Sequence, residues 1–121
     1  MSVDTALQTA LKPMGLPVFP NRYTGEALEY LVTNWTLIPE LHAGDLAGAA
    51  RYLVQVHYYL PDKKNPNPML EEICLALAAA DFTCPEVLQV DDAARRTGDA
   101  HGQHWTIECE YCDGGYNYGQ C

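Results

Sequence analysis

Apolar side chains recur at Val3, Ala6, Leu7, Ala10 and Leu11, a spacing of three and four that lays them on one face of a helix. Ser2 stands where a hydroxyl can cap the first turn, and Lys12-Pro13-Met14-Gly15 supplies a last-turn cation, a residue that cannot continue the helix and a glycine beyond it. Residues 16–25 hold Pro17, Pro20, Asn21 and Gly25, too many breakers for a regular element, and predict an ordered connection. Residues 27–37 then turn strand-like, with Leu28, Tyr30 and Val32 on one side and Leu31, Thr33 and Trp35 on the other. Bulk on both faces predicts a strand covered by a helix on one side and, on the other, by something else, such as a partner chain.

Residues 38–50 carry Pro39, Gly44 and Gly48 and predict a protruding loop. Tyr52, Val54, Val56, Tyr58 and Leu60 alternate with Leu53, Gln55, His57 and Tyr59, the clearest period of two in the chain. Pro61 to Pro66 ends that strand, and Asn67-Pro68 predicts a helix start with Asn67 as cap. Leu70, Ile73, Cys74, Leu77 and Ala78 give a core-facing stripe over residues 68–81. A short strand over 86–92 and a longer one through Trp105, Ile107, Cys109 and Tyr111 follow, joined by a loop over 93–103. The expected fold is α+β: a single domain in the order α-β-β-α-β-β, with a four-stranded, largely antiparallel sheet packed by two helices. Residues 1–113 form the domain and 114–121 a Gly/Tyr-rich C-terminal tail.

Composition narrows the function classes. The chain has 121 residues, 48% of them hydrophobic and 19% charged, which suits one folded domain with one core. Seven Lys and Arg against 16 Asp and Glu leave a net charge of −9, which argues against binding nucleic acid through its phosphates. No run approaches the roughly 20 apolar residues that span a bilayer, and Met1-Ser2-Val3-Asp4 has no basic segment or apolar run of a signal peptide, so a soluble intracellular product is expected. Cys74, Cys84, Cys109, Cys112 and Cys121 are odd in number, which without a leader favours free thiols in a reducing compartment.

Few constellations suggest chemistry. Cys109-Glu110-Tyr111-Cys112 is a CxxC, and with Cys121 and His104 it offers four zinc-type ligands. On a strand, however, positions 109 and 112 face opposite sides, so structural thiols are expected rather than a metal site. His101 and His104, near Asp91, Asp92 and Asp99, have no companion nucleophile and suit a polar hairpin loop. Neither GxxxxGK[ST] nor GxGxxG occurs. No catalytic residue, cofactor or metal is therefore expected. Lys63, Lys64, Arg95 and Arg96 are paired cations on an acidic protein, suited either to solvent or to the acidic face of a neighbouring copy. With Trp35, Tyr116 and Tyr118 they are the interface candidates, since Tyr and Trp are enriched where subunits meet.

Several strings resemble a known family. Ala10-Leu11-Lys12-Pro13-Met14-Gly15-Leu16-Pro17-Val18 is similar to an opening helix running into a Gly-Leu-Pro-Val turn. Residues 27–33, 52–59 and 104–111 resemble the same family's first, second and closing strands, although a proline expected in the first is replaced here. The family is the tail terminator, or tail completion, proteins of long-tailed bacteriophages and prophages; the cysteines and the tail over 114–121 depart from it. The resemblance implies a non-enzymatic structural protein of the virion, located in its tail or neck and assembled in the bacterial cytoplasm. It implies a homohexameric ring that caps the tail tube, contacts the tail tube protein and the head–tail connector protein, and lets DNA pass without specific binding, with no membrane involved. Another neck or minor capsid component, or a small Cys-based metal or thiol module, stands as the alternative.

Overall fold

A computed structural model describes residues 2–38, 50–90 and 102–113. The first helix, α1 (Val3–Leu11), begins where the Ser2 hydroxyl accepts the Thr5 amide at 3.2 Å, and it buries Val3, Ala6, Leu7 and Leu11 as the spacing requires. One 3-10 turn (Lys12–Met14) follows and stops at Gly15, whose φ of 76° lies in the left-handed region that glycine occupies without strain.

The chain then pairs as a strand, β1 (Val18–Pro20), parallel to β2 (Tyr30–Ile38). β3 (Ala50–Pro61) follows, then α2 (Asn67–Ala79), β4 (Thr83–Val90) and β5 (Gly102–Asp113). The sheet has five strands in the order β1-β2-β3-β5-β4, with every pairing but the first antiparallel. This corrects the expected four-stranded sheet in the order α-β-β-α-β-β: the order is α-β-β-β-α-β-β and the sheet is mixed.

The physical reason lies in where the prolines sit. The Leu31 amide donates to the Pro17 carbonyl at 2.8 Å and the Asn21 amide donates to the Thr33 carbonyl at 2.7 Å, so the odd-numbered residues of this segment meet β2. Pro20 is out of phase with them, and its missing N–H faces away from the ladder, on an edge strand where proline is tolerated. Breakers that exclude a central strand do not exclude this one.

Other boundaries move for local reasons. Residues 27–29, expected to open the first strand, instead precede β2 in a bend where the Ala27 amide donates to the Tyr23 hydroxyl at 3.1 Å, leaving Leu28 exposed. The Tyr23 ring lies against Gly25, where a side chain would collide with it. At α2 the N-cap position is Pro66, and Asn65 Oδ1, one residue before it, accepts the Asn67 amide at 3.2 Å, so Asn67 is inside the helix rather than its cap. The helix ends where the Phe82 amide donates to the Leu77 carbonyl at 2.9 Å across Asp81, whose φ is 68°.

Both helices lie on one face of the sheet. Val3, Leu7 and Leu11 of α1 and Leu70, Ile73 and Leu77 of α2 form one core with Leu31, Val54, Val56, Tyr58, Leu60, Ile107 and Cys109. Each fully buried large apolar side chain contributes about 1.5–3 kcal/mol relative to exposure. The opposite face, built from even-numbered residues of β2 and β5 and odd-numbered residues of β3, is covered by no helix or strand among the described residues.

Candidate functional site

The helix-free face collects the polar groups that the period of two removes from the core. Across it, Asn34, Gln55 and Glu108 stand in one row, Val32, His57 and Thr106 in the next, and Tyr30, Tyr59 and His104 in a third. The Asn34 amide nitrogen lies 2.8 Å from His57 Nε2, and His57 Nδ1 lies 2.8 Å from His104 Nε2. With Asn34 as donor, Nε2 of His57 accepts, so the His57 proton is on Nδ1 and is donated to His104. The Thr106 hydroxyl sits 3.2 Å from His57 Nδ1, and Gln55 donates to Glu108 at 2.9 Å.

Burial lowers the His57 pKa, with the nearby Glu108 carboxylate opposing it, so the imidazole is held neutral at physiological pH. Rings flank the pair in a continuous series. Tyr59 stacks on His104 with centroids 4.2 Å apart and Tyr30 on Tyr59 at 4.8 Å, and tilted contacts continue the series from Tyr30 to Tyr23 at 4.5 Å and from Tyr23 to Phe19 at 5.2 Å. Ring contacts of this kind contribute beyond the area they bury. A hydroxyl beside an imidazole is the first requirement of nucleophilic catalysis, but Thr106 is only 5% exposed. The arrangement holds protons and fixes strands.

A second polar cluster lies at the end of the core. The buried Tyr58 hydroxyl donates to Glu29 Oε2, while Lys64 donates to Glu29 Oε1 at 2.6 Å. Burial, with the Glu29 carboxylate, raises the Tyr58 pKa well above the ordinary phenol value. Gln103 Nε2 lies within hydrogen-bonding reach of the Pro61, Asp62 and Lys64 carbonyls at 3.0, 2.8 and 2.8 Å, stapling the β3–α2 turn to β5.

The interface candidates divide. Lys63 is exposed in the β3–α2 turn, whereas Lys64 is committed to Glu29. Trp35 is half-buried against the core, and Arg95, Arg96, Tyr116 and Tyr118 lie outside the described residues, as do His101, most of the loops expected over 38–50 and 93–103, and the tail over 114–121. Arg51 lies in β3, 3.5 Å from Glu110.

His104 is not a loop residue. It is 7% exposed in β5, where register places it level with Tyr59. His57, Asn34 and Thr106 were not singled out in the sequence, because only strand register brings them together.

The cysteines differ among themselves. Cys109 joins the core, and burial, with Cys74 and Glu110 adding, pushes its thiol up to about 12. Cys112, on the opposite face, is disulfide-bonded, which corrects the expectation of free thiols throughout and removes the cysteine count as an argument for a reducing compartment. Among the described residues no three His, Cys, Asp or Glu side chains converge as metal ligands. An open groove of about 490 Å³ between α1 and β1 is lined by Gln8, Thr9, Lys12, Leu16 and Val18.

No family model matches the chain, and no curated protein matches it. A solved structure whose name states no activity aligns with 97% of this chain and 99% of its own length, at 17% identity and a TM-score of 0.57. That likeness extends to the fold alone.

Proposed function

We propose that the chain is a structural subunit of a phage tail: a tail terminator that assembles as a homohexameric ring, caps the tail tube and joins it to the head connector. The observation that carries this reading is the exposure of apolar side chains on two strand edges, Leu37 on β2 with Val87 and Leu88 on β4, which suits contact with a neighbouring subunit. The family-like strings support it from the sequence side. Residues 10–18 run from α1 through the Gly15 cap into β1, and residues 52–59 and 104–111 are the paired central strands.

In this reading the protein is not an enzyme. The His57–His104 pair ties β3 to β5, and the net charge of −9 gives a conduit that repels phosphate and lets DNA slide. The test is genetic and visual. Deleting the gene from its phage or prophage should yield tails of uncontrolled length without attached heads when particles are viewed by electron microscopy, and restoring it should rescue both. Normal virions from the deletion would contradict the reading.

A further inference from the structure

Each side of the sheet leaves a stretch of five residues with no strand beside it among the described residues. On one side β1 covers only Leu31, Val32 and Thr33 of β2. The Leu31 amide and the Thr33 carbonyl bond toward β1, so odd-numbered residues of β2 point their backbone groups that way. Beyond Thr33 those residues are Trp35 and Leu37, and no described strand lies beside them. On the other side β4 is the terminal strand. Its first half carries Pro85 and a register shift between Thr83 and Glu86, two devices that blunt an edge. Its second half, Glu86-Val87-Leu88-Gln89-Val90, carries neither and exposes Val87 and Leu88 on opposite faces.

We infer that residues 34–38 of β2 pair antiparallel with residues 86–90 of β4 in a second copy of this chain. Direction, face and side-chain chemistry each fit. β2 runs opposite to β3, β3 to β5 and β5 to β4, so a copy set beside the first in the same orientation brings its β4 antiparallel to β2. Aligning the two stretches end to end puts Asn34 opposite Val90, Thr36 opposite Leu88 and Ile38 opposite Glu86. Even-numbered residues of both strands lie on the helix-free face, as the pairings of Thr36 through Leu53 with Glu110 and of Leu88 with Thr106 require. The joined sheet therefore keeps its helices on one side.

The same register gathers the exposed apolar groups. Of the seven large hydrophobic residues exposed among the described ones, Leu37 meets Val87 on the helix side, and Leu88 lies across Thr36 from Leu53 on the other. Four of the seven are thus brought together by one register, with Glu86 two strands from Arg51. A two-fold pairing of β4 with β4 would leave Leu37 and Leu53 in water. Because the two edges differ, the contact is head-to-tail and propagates from copy to copy, closing into a ring or running on as a filament.

This inference deepens the ring reading and shares with it only the requirement that copies of the chain associate. It is tested by disulfide trapping between Thr36→Cys and Leu88→Cys, two exposed positions, each variant purified separately. Mixed at high concentration under mild oxidation, they should give a cross-linked dimer on a non-reducing gel, whereas neither variant alone should. A dimer formed by Leu88→Cys alone, or no dimer in the mixture, would overturn the inference.

As a second readout, Leu37→Lys should sediment as a monomer at concentrations where the unaltered chain is larger, with an unchanged thermal midpoint. Persistence of the larger species would overturn the inference too. Cross-linked copies in a phage whose deletion mutant has normal tails would retire the tail reading and leave this interface standing. Abnormal tails on deletion without cross-linking would do the reverse.

Discussion

The two faces of the sheet are made from the same three central strands and do opposite things. On the helix side, Leu31, Val54, Val56, Ile107 and Cys109 are closed off by α1 and α2, and stability comes from area removed from water. On the other side, Asn34, Gln55, His57, His104, Thr106 and Glu108 exchange hydrogen bonds across the strands, and what they contribute is register and a fixed protonation pattern. A strand residue's role here follows from its parity before its chemical type: Tyr58 is wholly buried, whereas its neighbours His57 and Tyr59 belong to the polar face.

Changes on the helix side should have the largest effect. Leu77→Ala and Ile73→Ala each open a cavity at a fully buried position and should lower unfolding free energy by about 2–5 kcal/mol in urea titrations. A loss below about 1 kcal/mol at both would mean that α2 does not pack as described.

Next is the Glu29 clamp, which joins the bend before β2 to Tyr58 and Lys64. Glu29→Ala leaves the Tyr58 hydroxyl buried without its acceptor and should cost about 1–3 kcal/mol. Lys64→Ala, at a half-exposed side chain, should cost about 1 kcal/mol or less. Equal losses in the two variants would show that the ion pair, not the buried hydroxyl, is the important half.

The polar face should respond to pH more than to truncation. The folded His57 pKa is below its unfolded value because burial favours the neutral ring. The stability tied to it is therefore present above about pH 6.5 and is lost as pH falls through that value and toward the folded pKa. Thermal midpoints should decline between pH 7 and pH 5, and His57→Gln should flatten that decline. A slope unchanged in the variant would assign acid sensitivity to other groups.

Thiol reactivity offers the smallest effect and the sharpest contrast between half-buried and buried groups. At neutral pH a disulfide reagent should label Cys74 ahead of Cys109, because burial raises both thiols and raises Cys109 to about 12. Faster labelling of Cys109 would place it outside the core.

Periodicity made much of this legible. The α1 stripe, the alternation of β3, the α2 stripe and the placement of Cys109 toward the core all follow from spacing alone. What escaped was whatever depends on partners distant in sequence. β1 is hidden by Pro17, which stands just before the strand, and by Pro20, whose missing N–H would be harmful only if it faced a neighbouring strand, and that phase is set by β2. The His57–His104 pair is 47 residues apart and visible only once β3 and β5 are in register. The bend at 27–29 depends on the Tyr23 hydroxyl reaching Ala27, a contact that strand propensity cannot anticipate.

The central claim, that this sheet continues from one copy into the next through its two open edges, is tested most directly by amide hydrogen exchange followed across protein concentration. Protection should rise with concentration in peptides covering 34–38 and 86–90 and stay constant in the interior strands β3 and β5. Protection in those two stretches that is already complete in the dilute monomer, or that never changes while the protein associates, would contradict it.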